Sequence, residues 1–321
     1  MKDNLELIKF RKSLIVTIVI TYLLIMVGAL VRSTGSGMGC PDWPKCFGQY
    51  IPPTNISQLP TNYKEIFKVE GKTIADFNAF HTWVEYLNRL LGVVVGFVIL
   101  AMVYFAFPIR KTHRKVWLST LFSLFLVLFI GWVGSKVVSS NLAPIKISIH
   151  MILALALSFV LVGTYYLTSN ITAIEKIKEI NAKPFFNYYL ALFLTTVVQI
   201  FVGTQVRQQV DEISMKLQNT HREHWIENLD FTFEIHKFFA GFILFSFIGI
   251  FYYYRKKVTP QLQSLITQNT ILVVIEFLLG DILNFFMPAF AQPIHLLMAN
   301  LMAGSLFYTL IVLNKARADI E

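Results

Sequence analysis

The chain has 321 residues, of which 55% are hydrophobic, 15% aromatic and only 15% charged, and its mean hydropathy is +0.58. This composition excludes an ordinary soluble domain, in which about 25% of residues are charged. The formal net charge of +9 is interpreted as membrane topology and attraction to anionic lipid headgroups, and no nucleic-acid partner is expected.

Eight apolar stretches are long enough to cross a hydrocarbon core, which takes about 20 residues as a helix. They occupy residues 13–32, 80–107, 117–138, 147–168, 187–206, 235–254, 266–287 and 294–314. Their continuous Leu, Ile, Val and Phe content favours helices over barrel strands. The first stretch lacks a small-residue cleavage site and is predicted to be a retained helix. The predicted fold class is therefore all-α, an integral membrane protein of eight transmembrane helices.

Basic residues determine the predicted orientation, because Lys and Arg concentrate in segments that stay on the inner side of a membrane. The clusters at 9–12, 110–115 and 255–257 fall on the same side as the N-terminus. We therefore expect both termini inside the plasma membrane and long outer loops at 33–79 and 207–234.

The two halves of the chain echo one another. The first segment ends in GALVR, from Gly28, and the fifth ends in GTQVR, from Gly203. The fourth and eighth segments also match, with IKISIHMILALAL around His150 and AQPIHLLMANLMA around His295. Both halves start on the inner side, so this parallel repeat predicts two similar four-helix bundles. The predicted halves are residues 1–170 and 171–321.

Three histidines, His150, His236 and His295, lie inside the outer ends of predicted segments, where a polar side chain is costly and indicates a function. His236 and His295 would project toward one bundle interior, which suits two axial imidazoles on a haem iron. Zinc fits less well, since the nearby acids are only Glu234 and Asp281. The alternative is that each histidine forms a hydrogen bond between helices.

The first half has Asn88 where the second half has a histidine, because Asn88-Arg89-Leu90 aligns with His236-Lys237-Phe238. Asn is a poor iron ligand. A haem in this half would therefore be bound by His150 alone or with a different partner. His81 lies on the same helix face, about 10 Å nearer the outer surface.

Glu85 lies one turn from Asn88 on the same helix face. An intramembrane carboxylate needs a partner, and Arg89 at i+4 offers an ion pair. The functional alternative is a catalytic carboxylate that steers protons or stabilises positive charge at a reacting centre. One residue can do both.

Four cations stand beside a ligand position or at the outer end of a helix, where they suit outward-pointing haem propionates. They are Arg32, Arg89, Arg207 and Lys237. The alternative is that they anchor their helices at the membrane surface.

The only two cysteines, Cys40 and Cys46, occur in GCPDWPKC on the first outer loop. An oxidising outer compartment permits a disulfide between them. Such a disulfide would be either a static link or a redox-active pair that passes electrons.

Together these motifs resemble the heme A synthase family, and the resemblance covers essentially the whole chain. It rests on GALVRSTGSGMGCPDWPKCFGQYIPP, on EYLNRLLG, on GWVGSKVVSSNLAP before His150, and on the two histidines of the second half. The resemblance implies an eight-helix enzyme that oxidises the C8 methyl of heme O to a formyl group, yielding heme A for terminal oxidases.

The resemblance also implies residue roles. His236 and His295 match the axial ligands of a b-type haem, heme b, and the first half would bind and oxidise heme O. Glu85 matches the family's acidic residue beside the reaction site, while Cys40 and Cys46 match a cysteine pair present in some members.

Asn88 departs from the family pattern, which has a histidine there. If His150 alone holds the substrate haem, the opposite face of the iron is open for chemistry. If the first half binds no haem, the protein is instead a relative with an electron-transfer or chaperone role. We favour the enzyme. The other candidate functions are a membrane b-type cytochrome that only transfers electrons, which would yield no heme A, and a transporter. Expected partners are heme O, a heme O synthase, a quinol or thiol electron donor and the lipid bilayer.

Overall fold

The computed structural model describes residues 2–169, 182–217 and 220–318. The helices in these residues are α1 (Lys2–Ser33), α2 (Tyr63–Ile66), α3 (Ala79–Ala106), α4 (Arg114–Ser139), α5 (Pro144–Thr168), α6 (Ala182–Lys216), α7 (Phe231–Tyr254), α8 (Pro260–Phe286) and α9 (Ala291–Ala318). All except the single-turn α2 are long and apolar enough to cross a membrane. No β-strand occurs in these described ranges, and the predicted all-α fold of eight transmembrane helices is confirmed.

Side-chain caps determine where several helices begin. Asn78 precedes α3, and its side chain accepts hydrogen bonds from the backbone N–H groups of Phe80 and His81. Asp230 caps α7 in the same way, by accepting from the N–H of Thr232. These bonds satisfy donors that the first turn of a helix leaves unpaired.

The fifth predicted segment was expected to end at residue 206, but α6 continues to Lys216. Two contacts explain the extension. Arg207 and Asp211, one turn apart, form an ion pair at 2.6 Å, and Val210 is buried in a cluster with Trp225 and Met287. The helix therefore has packing partners beyond its apolar stretch.

The chain forms two compact units, Met1–Thr168 and Ser169–Glu321. In the first unit, α3 and α5 each pack against both α1 and α4, which closes a four-helix bundle. In the second unit, α7 and α9 each pack against both α6 and α8. The two bundles therefore have the same order of helices. The predicted boundary at 170/171 lies outside the described residues.

A compact loop, residues 34–78, connects α1 to α3 in the first unit. Cys40 and Cys46 form a disulfide there, and both are buried in a cluster with Phe47, Leu59 and Tyr63. The ring of Phe47 makes edge contacts with three further aromatic rings, Tyr63, Phe67 and Phe77. The loop thus has a small core of its own beside the bundle.

A buried polar network joins three helices of the second unit. Nδ2 of Asn269 on α8 donates to the hydroxyl of Tyr189 on α6 and, at 2.8 Å, to that of Thr309 on α9. Oδ1 of Asn269 accepts from the Ser305 hydroxyl at 2.6 Å. Asn269, Tyr189 and Thr309 are fully buried, so this one amide satisfies polar groups that have no access to water.

Asn269→Leu is expected to lower the free energy of unfolding by about 1–2 kcal/mol, because it leaves three hydroxyls, two of them fully buried, without their shared partner. Thermal unfolding in mild detergent measures the change. Gln268→Leu is the matched control, since Gln268 is exposed on the same helix. Equal unfolding midpoints for the two variants would contradict the network's contribution.

Candidate functional site

Two partly buried histidines of the second unit, His236 and His295, each pack against a glycine of the neighbouring helix. A Cβ built on Gly203 of α6 would lie 3.0 Å from Cε1 of His236 on α7. A Cβ on Gly280 of α8 would lie 3.6 Å from Cε1 of His295 on α9. Glycine therefore lets each imidazole approach the next helix more closely than a larger residue would.

The first unit repeats this pairing with one change. A Cβ on Gly134 of α4 would lie 3.3 Å from Cε1 of His150 on α5. A Cβ on Gly28 of α1 would lie 3.8 Å from Oδ1 of Asn88 on α3. Gly28 begins GALVR as Gly203 begins GTQVR. Asn88 therefore occupies the position that His236 has in the second unit.

His236 on α7 and His295 on α9 belong to one bundle, in which both helices pack against α6 and α8. Nδ1 of each is buried and forms no aligned hydrogen bond within the described part of the chain. The backbone carbonyl of His236 is held by Nε2 of Gln199 at 2.8 Å. Two imidazoles in one bundle, each packed against a glycine, are the side chains that would hold a haem iron in this unit.

The first unit offers a different set of groups. His150 is partly buried, and its buried Nδ1 atom forms no aligned hydrogen bond to any described residue. Oδ1 of Asn88 is also buried and lacks a hydrogen-bond partner among the described residues. This set fits a haem iron bound by one histidine, with a polar amide in place of a second ligand.

Glu276 is a residue of this region that the sequence analysis missed. Its Oε1 lies 3.1 Å from Nδ1 of His295, and its side chain is 13% exposed. The signal was present in the sequence, because a carboxylate interrupts the apolar run ILVVIEFLLG one turn before Gly280. Only the structure shows that this face of α8 meets His295.

Arg89 on α3 binds the loop of residues 34–78 through hydrogen bonds. Its guanidinium donates to both the Glu85 carboxylate and the loop backbone. Nε and Nη2 donate to Oε1 of Glu85 at 3.1 and 2.5 Å. Nη2 also donates to the Cys40 carbonyl at 2.8 Å. Nη1 bonds the carbonyls of Asp42 and Lys45 at 2.6 and 3.1 Å. These contacts engage all five N–H groups of the side chain.

Glu85 completes the attachment of this loop. Its Oε2 accepts a hydrogen bond from the backbone N–H of Cys40 at 2.9 Å, and its side chain is 5% exposed. The ion pair with Arg89 that the sequence suggested is therefore present in the structure. The catalytic role suggested for Glu85 stays a prediction, as does a propionate contact for Arg89.

The disulfide lies inside the loop rather than at its surface, with Cys40 and Cys46 both at most 1% exposed. Asp42 lies between the two cysteines, and its carboxylate accepts hydrogen bonds from the backbone N–H groups of Phe47 and Gly48 at 2.6 and 2.9 Å. Burial on this scale favours a static link, because an exchange partner would have to open the loop to reach either sulfur.

His81, the other histidine considered near the first site, contacts the loop instead. Its Nδ1 lies 2.9 Å from the hydroxyl of the buried Ser36. On the next residue, the hydroxyl of Thr82 donates to the Gly39 carbonyl at 2.9 Å. These two contacts attach the first turn of α3 to the loop.

Gly39→Ala is expected to lower the free energy of unfolding by about 1–3 kcal/mol through overpacking. An added Cβ would lie 2.4 Å from the carbonyl oxygen of His81 and 2.7 Å from the backbone N of Thr82, so the loop would have to move away from α3. Gly92→Ala on α3 is the control, since nothing lies within 4 Å of its added Cβ. A thermal unfolding midpoint of Gly39→Ala equal to that of the control would refute the close approach.

The remaining predicted cations have contacts of their own. Arg32 donates to Sδ of Met151 at 3.4 Å, and Arg207 pairs with Asp211. Lys237, which aligns with Arg89, pairs with Glu234 at 2.7 Å but is 43% exposed. Arg89 and Lys237 thus share a position in the repeat and differ in burial.

Comparison with known proteins places these features in context. The family model COX15-CtaA, described as cytochrome oxidase assembly protein, matches residues 11–307. Three relatives carry the name heme A synthase. The protein from Shewanella oneidensis is 29% identical over 48% of this chain and 44% of its own length. The protein from Pelagibacter ubique is 31% identical over 61% and 60%, and that from Ehrlichia ruminantium is 28% identical over 57% and 55%. The chain thus spans about half the length of the curated relatives it matches.

Proposed function

The chain belongs to the COX15-CtaA family of cytochrome oxidase assembly proteins, and from that membership we propose that it is a heme A synthase. In this activity the C8 methyl group of heme O, the substrate, is oxidised to a formyl group. The names of the similar proteins support the proposal. The observation that carries it is the set of three histidines, His150, His236 and His295, each with a buried Nδ1 atom and each packed against a glycine.

The second unit is the proposed site of heme b, with His236 and His295 as axial ligands. Heme b would supply one-electron transfer there. The chain's part is to hold the two imidazoles, through the glycines that face them and the bond from Gln199 to the His236 carbonyl. Arg207 and Lys237 are the proposed partners of the haem propionates. The propionates would compete with Asp211 for Arg207 and with Glu234 for Lys237.

The first unit is the proposed site of heme O. His150 binds the iron of the substrate, and Asn88 leaves the opposite face without a strong ligand. Glu85, fixed by Arg89 and the Cys40 amide, is the proposed catalytic carboxylate beside the methyl group. Arg32 is a proposed contact for a propionate. The apolar tail of heme O explains a site within lipid, which the substrate enters laterally.

The predicted setting belongs to the same proposal. The protein lies in the plasma membrane with both termini inside and the haem sites near the outer face, as the distribution of Lys and Arg favours. A heme O synthase would deliver the substrate, and a quinol or a thiol would donate electrons. The buried disulfide favours the quinol, since Cys40 and Cys46 are inaccessible to an exchanging thiol in this conformation.

The test is pyridine-haem analysis of the purified protein, expressed with and without a heme O supply. Heme A is expected only with the supply, and it should be lost from Glu85→Gln and His295→Ala. Glu227→Gln, which alters an exposed carboxylate, is the control. If Glu85→Gln unfolds like the parent but makes no heme A, its catalytic role is supported. Bound heme b without heme A under any supply would leave a b-type cytochrome and end the synthase assignment.

A further inference from the structure

Glu276 is a carboxylate inside a membrane-spanning helix, where a charged side chain is costly unless it is paired. Its Oε1 lies 3.1 Å from Nδ1 of His295. Its Oε2 is buried and has no hydrogen-bond partner among the described residues. No Lys or Arg of the described ranges forms a salt bridge with it. The imidazole of His295 is therefore the group that Glu276 faces.

The first unit shows that helix packing alone does not require this carboxylate. Glu276 precedes Gly280 by four residues on α8, and Ile130 precedes Gly134 by four residues on α4. The histidine facing each glycine is otherwise similarly placed, since His150 also meets its glycine through Cε1. Ile130 is sufficient for helix packing at this position of the first unit. The carboxylate of Glu276 therefore has a role that is specific to the second unit.

A carboxylate in this position has a known chemical effect on a metal-bound histidine. A ligating imidazole that donates its second N–H to a carboxylate keeps its ring orientation and tautomer, and it becomes a more basic ligand. Greater electron donation stabilises the oxidised iron, so the reduction potential falls. His236 differs, because no carboxylate of the described residues forms a salt bridge with it and Gln199 contacts only its backbone.

We propose that Glu276 is a positioning residue for the haem of the second unit. It accepts the Nδ1–H of His295, directs Nε2 to the iron and lowers the reduction potential of that haem. This inference rests on the heme b part of the proposed function. It adds a specific source of asymmetry between the two units, since the histidine of the first unit has no carboxylate at the corresponding position.

The experiment is a potentiometric titration of purified, haem-loaded protein, comparing the parent with Glu276→Gln. We expect the preference for Fe(III) over Fe(II) to fall about tenfold, which is about +59 mV for a one-electron couple. Glu227→Gln is the matched control: it removes a carboxylate from the same unit that is 72% exposed and lies beside His224, and its potential should equal that of the parent. Equal shifts in both variants, or a parent potential in Glu276→Gln, would overturn the inference.

Glu276→Asp covers the case in which Glu276→Gln does not assemble. Aspartate keeps the charge but draws it back from Nδ1, so a potential more positive than that of the parent supports the inference and an unchanged one overturns it. Loss of haem from Glu276→Gln with recovery in Glu276→Asp supports the positioning role. A parent protein without haem in this unit overturns it. Absence of heme A while the potentials behave as expected would instead count against the synthase activity alone.

Discussion

Arg89→Leu is expected to cost about 3–5 kcal/mol of stability, the loss found when one partner of a buried ion pair is removed. The substitution leaves the Glu85 carboxylate, which is 5% exposed, without its cation. It also leaves the carbonyls of Cys40, Asp42 and Lys45 without their donor. The loop should detach from α3, which a lower thermal unfolding midpoint and faster proteolysis within residues 34–78 would measure.

The repeat supplies a matched control for this experiment. Lys237 occupies the corresponding position of the second unit, but its pair with Glu234 is exposed on both sides. Lys237→Leu should therefore change stability by at most about 1 kcal/mol. Adding Glu85→Gln to Arg89→Leu should recover part of the loss, because no unpaired charge then stays buried. Similar unfolding midpoints for Arg89→Leu and Lys237→Leu would show that the loop does not depend on the guanidinium.

Asn88→His is expected to change the spectrum of bound heme O from high-spin to low-spin. Gly28 leaves space beside Asn88, as Gly203 does beside His236, so an imidazole at residue 88 could reach the iron face opposite His150. A second strong ligand would close that face. Absorption and EPR spectra of the heme O-loaded protein measure the change independently of turnover.

The reciprocal substitution, His236→Asn, makes the second unit resemble the first. It should turn a low-spin haem into a high-spin one and weaken haem retention by at least the roughly 10- to 100-fold that losing an outer-shell partner causes. The two variants form a pair, because each transfers one residue between equivalent positions. An unaltered spectrum in Asn88→His would mean that residue 88 does not face the iron.

Much of this architecture was predictable because lipid imposes strong rules on a sequence. Eight helices followed from apolar length, and the alignment of Asn88 with His236 followed from matching Asn88-Arg89-Leu90 to His236-Lys237-Phe238. The motifs that begin at Gly28 and Gly203 indicated the repeat separately. The structure adds a physical reason for that alignment, since both glycines face the side chain in question. Sequence alone showed the repeat but not what the repeated glycines contact.

Contacts across helices and loops were harder to predict. Glu276 was missed because the face of α8 that meets α9 cannot be read from an apolar run that is hydrophobic on all sides. The carbonyl partners of Arg89 were missed because backbone groups leave no pattern in a sequence. The end of α6 was misplaced because Val210 is stabilised by Trp225, which lies beyond a loop. In each case a tertiary contact decided the outcome.

Because Arg89 binds the loop of residues 34–78 through backbone carbonyls, the side chains of that loop can be substituted without loss of these bonds. Every residue has a backbone carbonyl. Arg89 therefore donates to the carbonyls of Asp42 and Lys45 through bonds that do not depend on the Lys45 side chain. Trp43, 53% exposed between them, is likewise unconstrained by this attachment. A library randomised at Trp43 and Lys45 should thus yield many folded members, whereas one at Gly39 or Arg89 should yield few. The tip of the loop is free to acquire new binding specificities while its base stays the same.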